Sequence, residues 1–194
     1  MQDFTDIEII KSVLAGNKDN YGFLIDRYQD KAYSLCLSIL KNEDDAQETL
    51  HLCFIKAYES LRSFRKHAKF STWFYRICYN QCITDKRYSK KFNKNFEPVD
   101  HPDLSPTELN EGISYLNLDE QRKYIQISLE QLNSTEQFLI RSHYLDQLDL
   151  KEIAEISDLS MSNVKVSMHR ARKKMYCSME KLLKDELLTL IEKA

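Results

Sequence analysis

The sequence predicts an all-α protein: two helical domains joined by a flexible acidic linker, the C-terminal one containing a helix-turn-helix. Three observations lead there. The 194 residues include only three Gly and three Pro, the residues that most often interrupt helices. All three prolines, Pro98, Pro102 and Pro106, crowd into one acidic stretch that divides the chain. Finally, residues 149–175 read as two short amphipathic segments around a tight turn.

In chain order, Asp6 is expected to cap a first helix ending near Gly16. A second helix is expected over residues 19–40, with Tyr21, Leu24, Ile25, Tyr28, Ala32, Leu35 and Ile39 on its apolar side. A third, over 43–61, carries Ala46, Leu50, Phe54 and Ala57 at helical spacing. A fourth, over 70–91, buries Phe70, Trp73, Phe74, Ile77 and Cys78. Residues 97–121 then hold seven acids and no Lys or Arg, with no sustained helical period. The expected division is therefore domain 1–95, linker 96–120 and domain 121–194. In the second domain a helix ends near Leu132, another runs over 134–145, and the helix-turn-helix follows, its last helix continuing towards Ile191.

Within that motif Asp149 caps the first helix and Glu152 completes a capping box. Ala154 is small, as two closely crossing helices require at their contact. Asp158 is expected at positive φ, where Gly is usual and Asp is tolerated. Leu159 plugs the gap between the helices and Ser160 caps the second. Val164, Met168, Ala171 and Met175 form one apolar stripe. Off the stripe, residues from Ser162 to Arg170 are placed to reach base edges, and Arg172, Lys173 and Lys174 to reach phosphates. A formal net charge of −2 means that any DNA binding rests on local patches such as this one.

A second patch, residues 62–94, contains ten basic residues and one acid, Asp85. Phe64, Phe70, Trp73, Phe74, Tyr75, Tyr79, Tyr88 and Phe92 are interleaved with it. Cations tracking a backbone beside rings that stack on unpaired bases suit single-stranded or opening DNA. Trp73 and Phe74 belong to the core by their helical position, whereas Phe64 and Tyr88, near segment ends, suit either role. The third helix opens with Glu43, Asp44, Asp45 and Glu48, which suit either a helix dipole or a partner surface.

Other chemistries find little support. Cys36, Cys53, Cys78, Cys82 and Cys177 form no C-x-x-C pair, and Cys78 and Cys82, four apart, read as core thiols. Five cysteines without a disulfide framework suit a reducing cytoplasm. The opening M-Q-D-F-T-D does not read as a signal peptide, and no apolar run approaches membrane-spanning length. His51, His67, His101, His143 and His169 make no H-E-x-x-H pattern, and there is no Gly-rich phosphate loop. No metal, cofactor, small-molecule substrate or catalytic residue is expected, and the chain is not read as an enzyme.

Taken together, D-D-A-Q-E-T, S-F-R-K-H-A-K-F-S-T-W-F-Y-R-I-C-Y-N, the acidic linker and E-I-A-E-I-S-D-L-S-M-S-N-V-K-V-S-M-H-R-A-R-K-K-M resemble bacterial sigma factors of the extracytoplasmic function type. The resemblance spans about residues 6–95 and 124–183. It implies a protein that binds core RNA polymerase, directs it to promoter DNA and helps open the duplex. It assigns core-polymerase binding to Asp44, Asp45, Gln47 and Glu48. Capture of the melted −10 element falls to Arg62, Phe64, Arg65, Lys66, Lys69, Arg76, Asn80 and Arg87. Reading of the −35 duplex falls to Ser162, Asn163, Lys165, Val166, Ser167, His169, Arg170 and Lys173. An anti-sigma factor is a further implied partner. The chain departs from its relatives at Asp158, where most have Gly, and at Ser167, where many have Arg. A regulator that binds duplex DNA without polymerase is the alternative; it needs neither the basic-aromatic segment nor the acidic helix.

Overall fold

The computed structural model describes residues 4–64, 69–89 and 117–192, with backbone alone at 87–89 and 185–192. The described residues are helical, with no strand among them. In the first half, α1 (Asp6–Leu14), α2 (Tyr21–Leu40), α3 (Glu43–Ser60) and α4 (Phe70–Ser89) follow one another, with short 3₁₀ turns at Lys18–Asn20 and Leu61–Ser63. The second half contains α5 (Leu118–Glu130), α6 (Ser134–Tyr144), α7 (Leu150–Ser157) and the long α8 (Met161–Glu192).

Side-chain caps set many of the helix starts. Thr5, Asn117, Asn133 and Asp149 each accept a backbone N–H while a Glu three residues on accepts from the cap's own N–H. Each such cap contributes about 1 kcal/mol. Two sequence expectations change here. Thr5, not Asp6, caps α1; Asp6 instead binds Arg27 at 2.5 Å and accepts the Tyr28 hydroxyl. The expected linker also ends earlier. Asn117 starts α5, so Asp119 and Glu120 are first-turn acids favoured by the helix dipole.

The first half is a three-helix core of α2, α3 and α4, closed at one side by α1. Phe70 and Phe74 stack with ring centroids 5.8 Å apart, Phe54 lies 4.5 Å from Phe74, and Tyr28 lies 5.2 Å from Phe70. Polar ties fix the helices around this ring cluster. The Tyr21 hydroxyl donates to the Phe54 carbonyl, and the Lys86 ammonium to the Ile39 carbonyl. Four of the five thiols, Cys36, Cys53, Cys78 and Cys82, are fully buried in the same core. Burial and the neighbouring thiols push the Cys78 thiol well up, so it stays protonated and inert.

In the second half α5 lies along α8, and α6 and α7 pack across it. The two halves then share one continuous core, α2 against α6 and α4 against α7. Tyr79 of α4 and Phe138 of α6 meet with ring centroids 4.6 Å apart.

Candidate nucleic-acid and polymerase interfaces

The helix-turn-helix forms as its residues dictate. Asp149 and Glu152 make the capping box of α7. Ile153 and Ile156 are fully buried, and Ala154 and Leu159 pack against the same core. Asp158 sits at φ 59°, ψ 27°, the left-handed conformation that turns the chain into the second helix. The Ser160 hydroxyl then accepts the Asn163 N–H at 3.2 Å. Val164, Met168 and Ala171 bury one side of α8, with Met175 partly buried beyond them.

Burying that stripe turns the opposite face outward. Ser162, Asn163, Lys165, Val166, His169, Arg170 and Lys173 are exposed, and Ser167 is half-buried. Val166 is 46% exposed between polar neighbours, an apolar spot suited to a thymine methyl. Lys174 departs from expectation. Its ammonium reaches both carboxylate oxygens of Glu136, at 2.7 and 2.9 Å, so it holds α8 to α6 rather than facing a phosphate.

On the first half, Lys69, Arg76 and Asn80 lie exposed along one side of α4, and Arg62 is exposed in the preceding turn. Arg65 and Lys66 lie outside the described residues, and Arg87 falls on the last turn of α4, where only backbone is described. Phe64, which its place near a segment end left open between core and stacking roles, is drawn into the core. Its ring is buried against Phe70 and Trp73, at centroid separations of 5.8 and 5.3 Å. It lines, together with Thr5, Tyr28, Lys69 and Ser71, an open recess of about 450 Å³.

The exposed face of α3 carries all four expected acidic and amide residues, Asp44, Asp45, Gln47 and Glu48. It also carries two that sequence reasoning missed: Leu52 and Ile55 are 40% and 54% exposed. They lie four and seven residues after Glu48, off the stripe of Ala46, Cys53 and Ala57 that faces the core. That spacing was the available signal. Apolar residues beside acids at a helix surface mark a protein interface better than acids alone.

Among the described residues no group of three or more His, Cys, Asp or Glu is disposed to hold a metal ion, and no helix is long and apolar enough to cross a membrane.

The description Sigma-70 region 2 matches residues 24–92, and Sigma-70, region 4 matches residues 122–175. The ECF RNA polymerase sigma factor SigW of Bacillus subtilis (strain 168) is 32% identical over 173 residues, covering 84% of this chain and 90% of the relative. The chain belongs to the extracytoplasmic function sigma factors. The ECF RNA polymerase sigma-E factor of Escherichia coli (strain K12) is 28% identical over 180 residues, covering 88% of this sigma factor and 92% of its own length. Two solved structures share the fold. The sigma factor RpoE, solved with the anti-sigma factor NepR from Bartonella quintana, aligns with TM-score 0.62 at 15% identity over 83% of this chain and 97% of its own. CnrH, solved with the cytosolic domain of CnrY, aligns with TM-score 0.59 at 20% identity over 86% and 92%.

Proposed function

We propose that this sigma factor binds core RNA polymerase and directs promoter-specific initiation, acting in the cytoplasm as a specificity subunit that catalyses nothing itself. The observation that carries this reading is the match of both sigma regions, in order, on one chain whose relative is covered almost end to end. A free-standing duplex regulator needs only the second region.

The surfaces divide the work. The α3 face with Asp44, Asp45, Gln47 and Glu48, extended by Leu52 and Ile55, meets the polymerase. The exposed start of α8 enters the major groove of the −35 element, with Arg170 and Asn163 on base edges and Lys173 on phosphate. The α4 side with Arg62, Lys69, Arg76 and Asn80, joined by Arg65, Lys66 and Arg87, holds the melted −10 strand. Capture of an unpaired base offsets the few kcal/mol that unstacking costs. Residues 1–95 and 117–194 are the two functional units, with residues 96–116 connecting them. Inhibition by an anti-sigma protein fits the fold shared with RpoE and CnrH.

Reconstitution with bacterial core polymerase, followed by transcription from a fragmented genomic library, tests the reading. Stable association and new defined start sites are expected. Charge reversal at Asp45 and Glu48 removes association while leaving the fold intact. Association that survives this double change, or duplex binding with no polymerase association at all, overturns the assignment.

A further inference from the structure

Val166 stands apart on α8. It is two residues from each of Val164 and Met168, the buried residues that fix the start of the helix to the body. At about 100° per residue it lies about 160° around the helix from both, at the outermost point of the exposed side. Asn163 lies three residues before it and Arg170 four after, both exposed, with Ser162 and His169 beside them. Ser167, the next residue along, is half-buried. The centre of this face is therefore a valine in a polar surround.

A lone exposed valine is ordinary on a protein surface. At the centre of a face that meets DNA it has a consequence, and the inference rests on α8 being the −35 helix. Valine neither donates nor accepts a hydrogen bond through its side chain. Pressed against a guanine, adenine or cytosine edge, it covers N7, O6 or an exocyclic amine and leaves that group dry and unpaired. Thymine alone offers the major groove an apolar group, its C5 methyl. A β-branched side chain is also stiff in a helix, so the two valine methyls stand at a fixed place instead of swinging aside.

We propose that Val166 selects a thymine in the −35 element: its methyls pack on the C5 methyl of a T whose pair lies between those met by Asn163 and Arg170. Preference at that pair comes from burying one methyl and from the desolvation that any other base suffers there. The protein supplies no hydrogen bond to it. Uracil, which pairs as thymine does and lacks only the methyl, is the discriminating probe.

The test uses the full chain reconstituted with core polymerase and a promoter fragment recovered by transcription from the genomic library. Thymines of the −35 region, on both strands, are replaced one at a time by deoxyuridine. Each fragment then competes with the parent for the holoenzyme. The exchange leaves phosphates, pairing and O4 in place. One position is expected to bind about three- to five-fold more weakly, the worth of one buried methyl. In Val166→Ala that position is expected to become indifferent between thymine and uracil. Alanine favours a helix more than valine does, so the variant keeps its fold. The absence of any methyl-sensitive position, or a sensitivity that survives Val166→Ala, overturns the proposal. Arg170→Ala and Lys173→Ala separate this from failure of the underlying reading. If neither weakens −35 binding, α8 is not on the duplex and both fall. If they weaken it while methyl sensitivity is absent, the Val166 assignment alone falls.

Discussion

The Lys174 ammonium is shared between both carboxylate oxygens of Glu136, and the same carboxylate accepts the Asn133 N–H that starts α6. One buried acid thus anchors a helix start and a helix crossing. Lys174→Ala leaves Glu136, 7% exposed, without its counter-ion. The second half is expected to lose about 1–3 kcal/mol, read by urea denaturation, with little change in DNA affinity once folded. A DNA-affinity loss without a stability loss restores Lys174 to the phosphate contacts.

Gln147 is held at φ 58° in the connection between α6 and α7. The left-handed conformation disfavours a side chain, and Gln147 is exposed. Gln147→Gly is expected to raise stability by about 0.5–1 kcal/mol, measured as a higher Tm by calorimetry. A lower Tm means that the Gln side chain holds this connection.

Asp146 is half-buried, and burial raises its carboxyl above the usual range, with Lys31 and Arg141 opposing. Its folded pKa therefore exceeds its unfolded one. The ionised form at neutral pH counts against folding, and that penalty fades as pH falls through the folded value. Asp146→Asn is expected to be more stable than the parent at pH 7, with the advantage shrinking on acidification. A constant advantage across the series points to a cause other than ionisation.

Arg170 is exposed on the side of α8 away from its buried stripe, one turn beyond Val166. If it reads a base, Arg170→Ala costs about 1–3 kcal/mol and relaxes preference at one −35 position. Binding across a library of −35 variants measures this. A uniform loss over all variants makes Arg170 a phosphate contact.

Local chemistry was legible in the sequence; distant meetings were not. Asp149, Asp158 and Ser160 could be placed on their turn because each acts on backbone within a few residues. The start of α5 was missed because Asp119 and Glu120 have the composition of a linker and the energetics of a first turn. Phe64 was ambiguous because a ring near a segment end suits core or surface equally; its packing on Phe70 and Trp73 settles the matter. The Lys69–Glu152 and Arg76–Asp158 pairs join residues more than eighty positions apart, and no periodicity announces such a contact. Lys174 looked like its neighbour Lys173 until Glu136 arrived beside it from another helix.

The thiols at the centre of the first half give the molecule a gauge of its own. Cys36, Cys53, Cys78 and Cys82 are shut away from water, whereas Cys177 on α8 is partly accessible. An alkylating reagent can consume the four only as fast as that half breathes open, while Cys177 reacts on its own schedule. Without any added label, the chain carries a clock for its first half and a reference mark in the second.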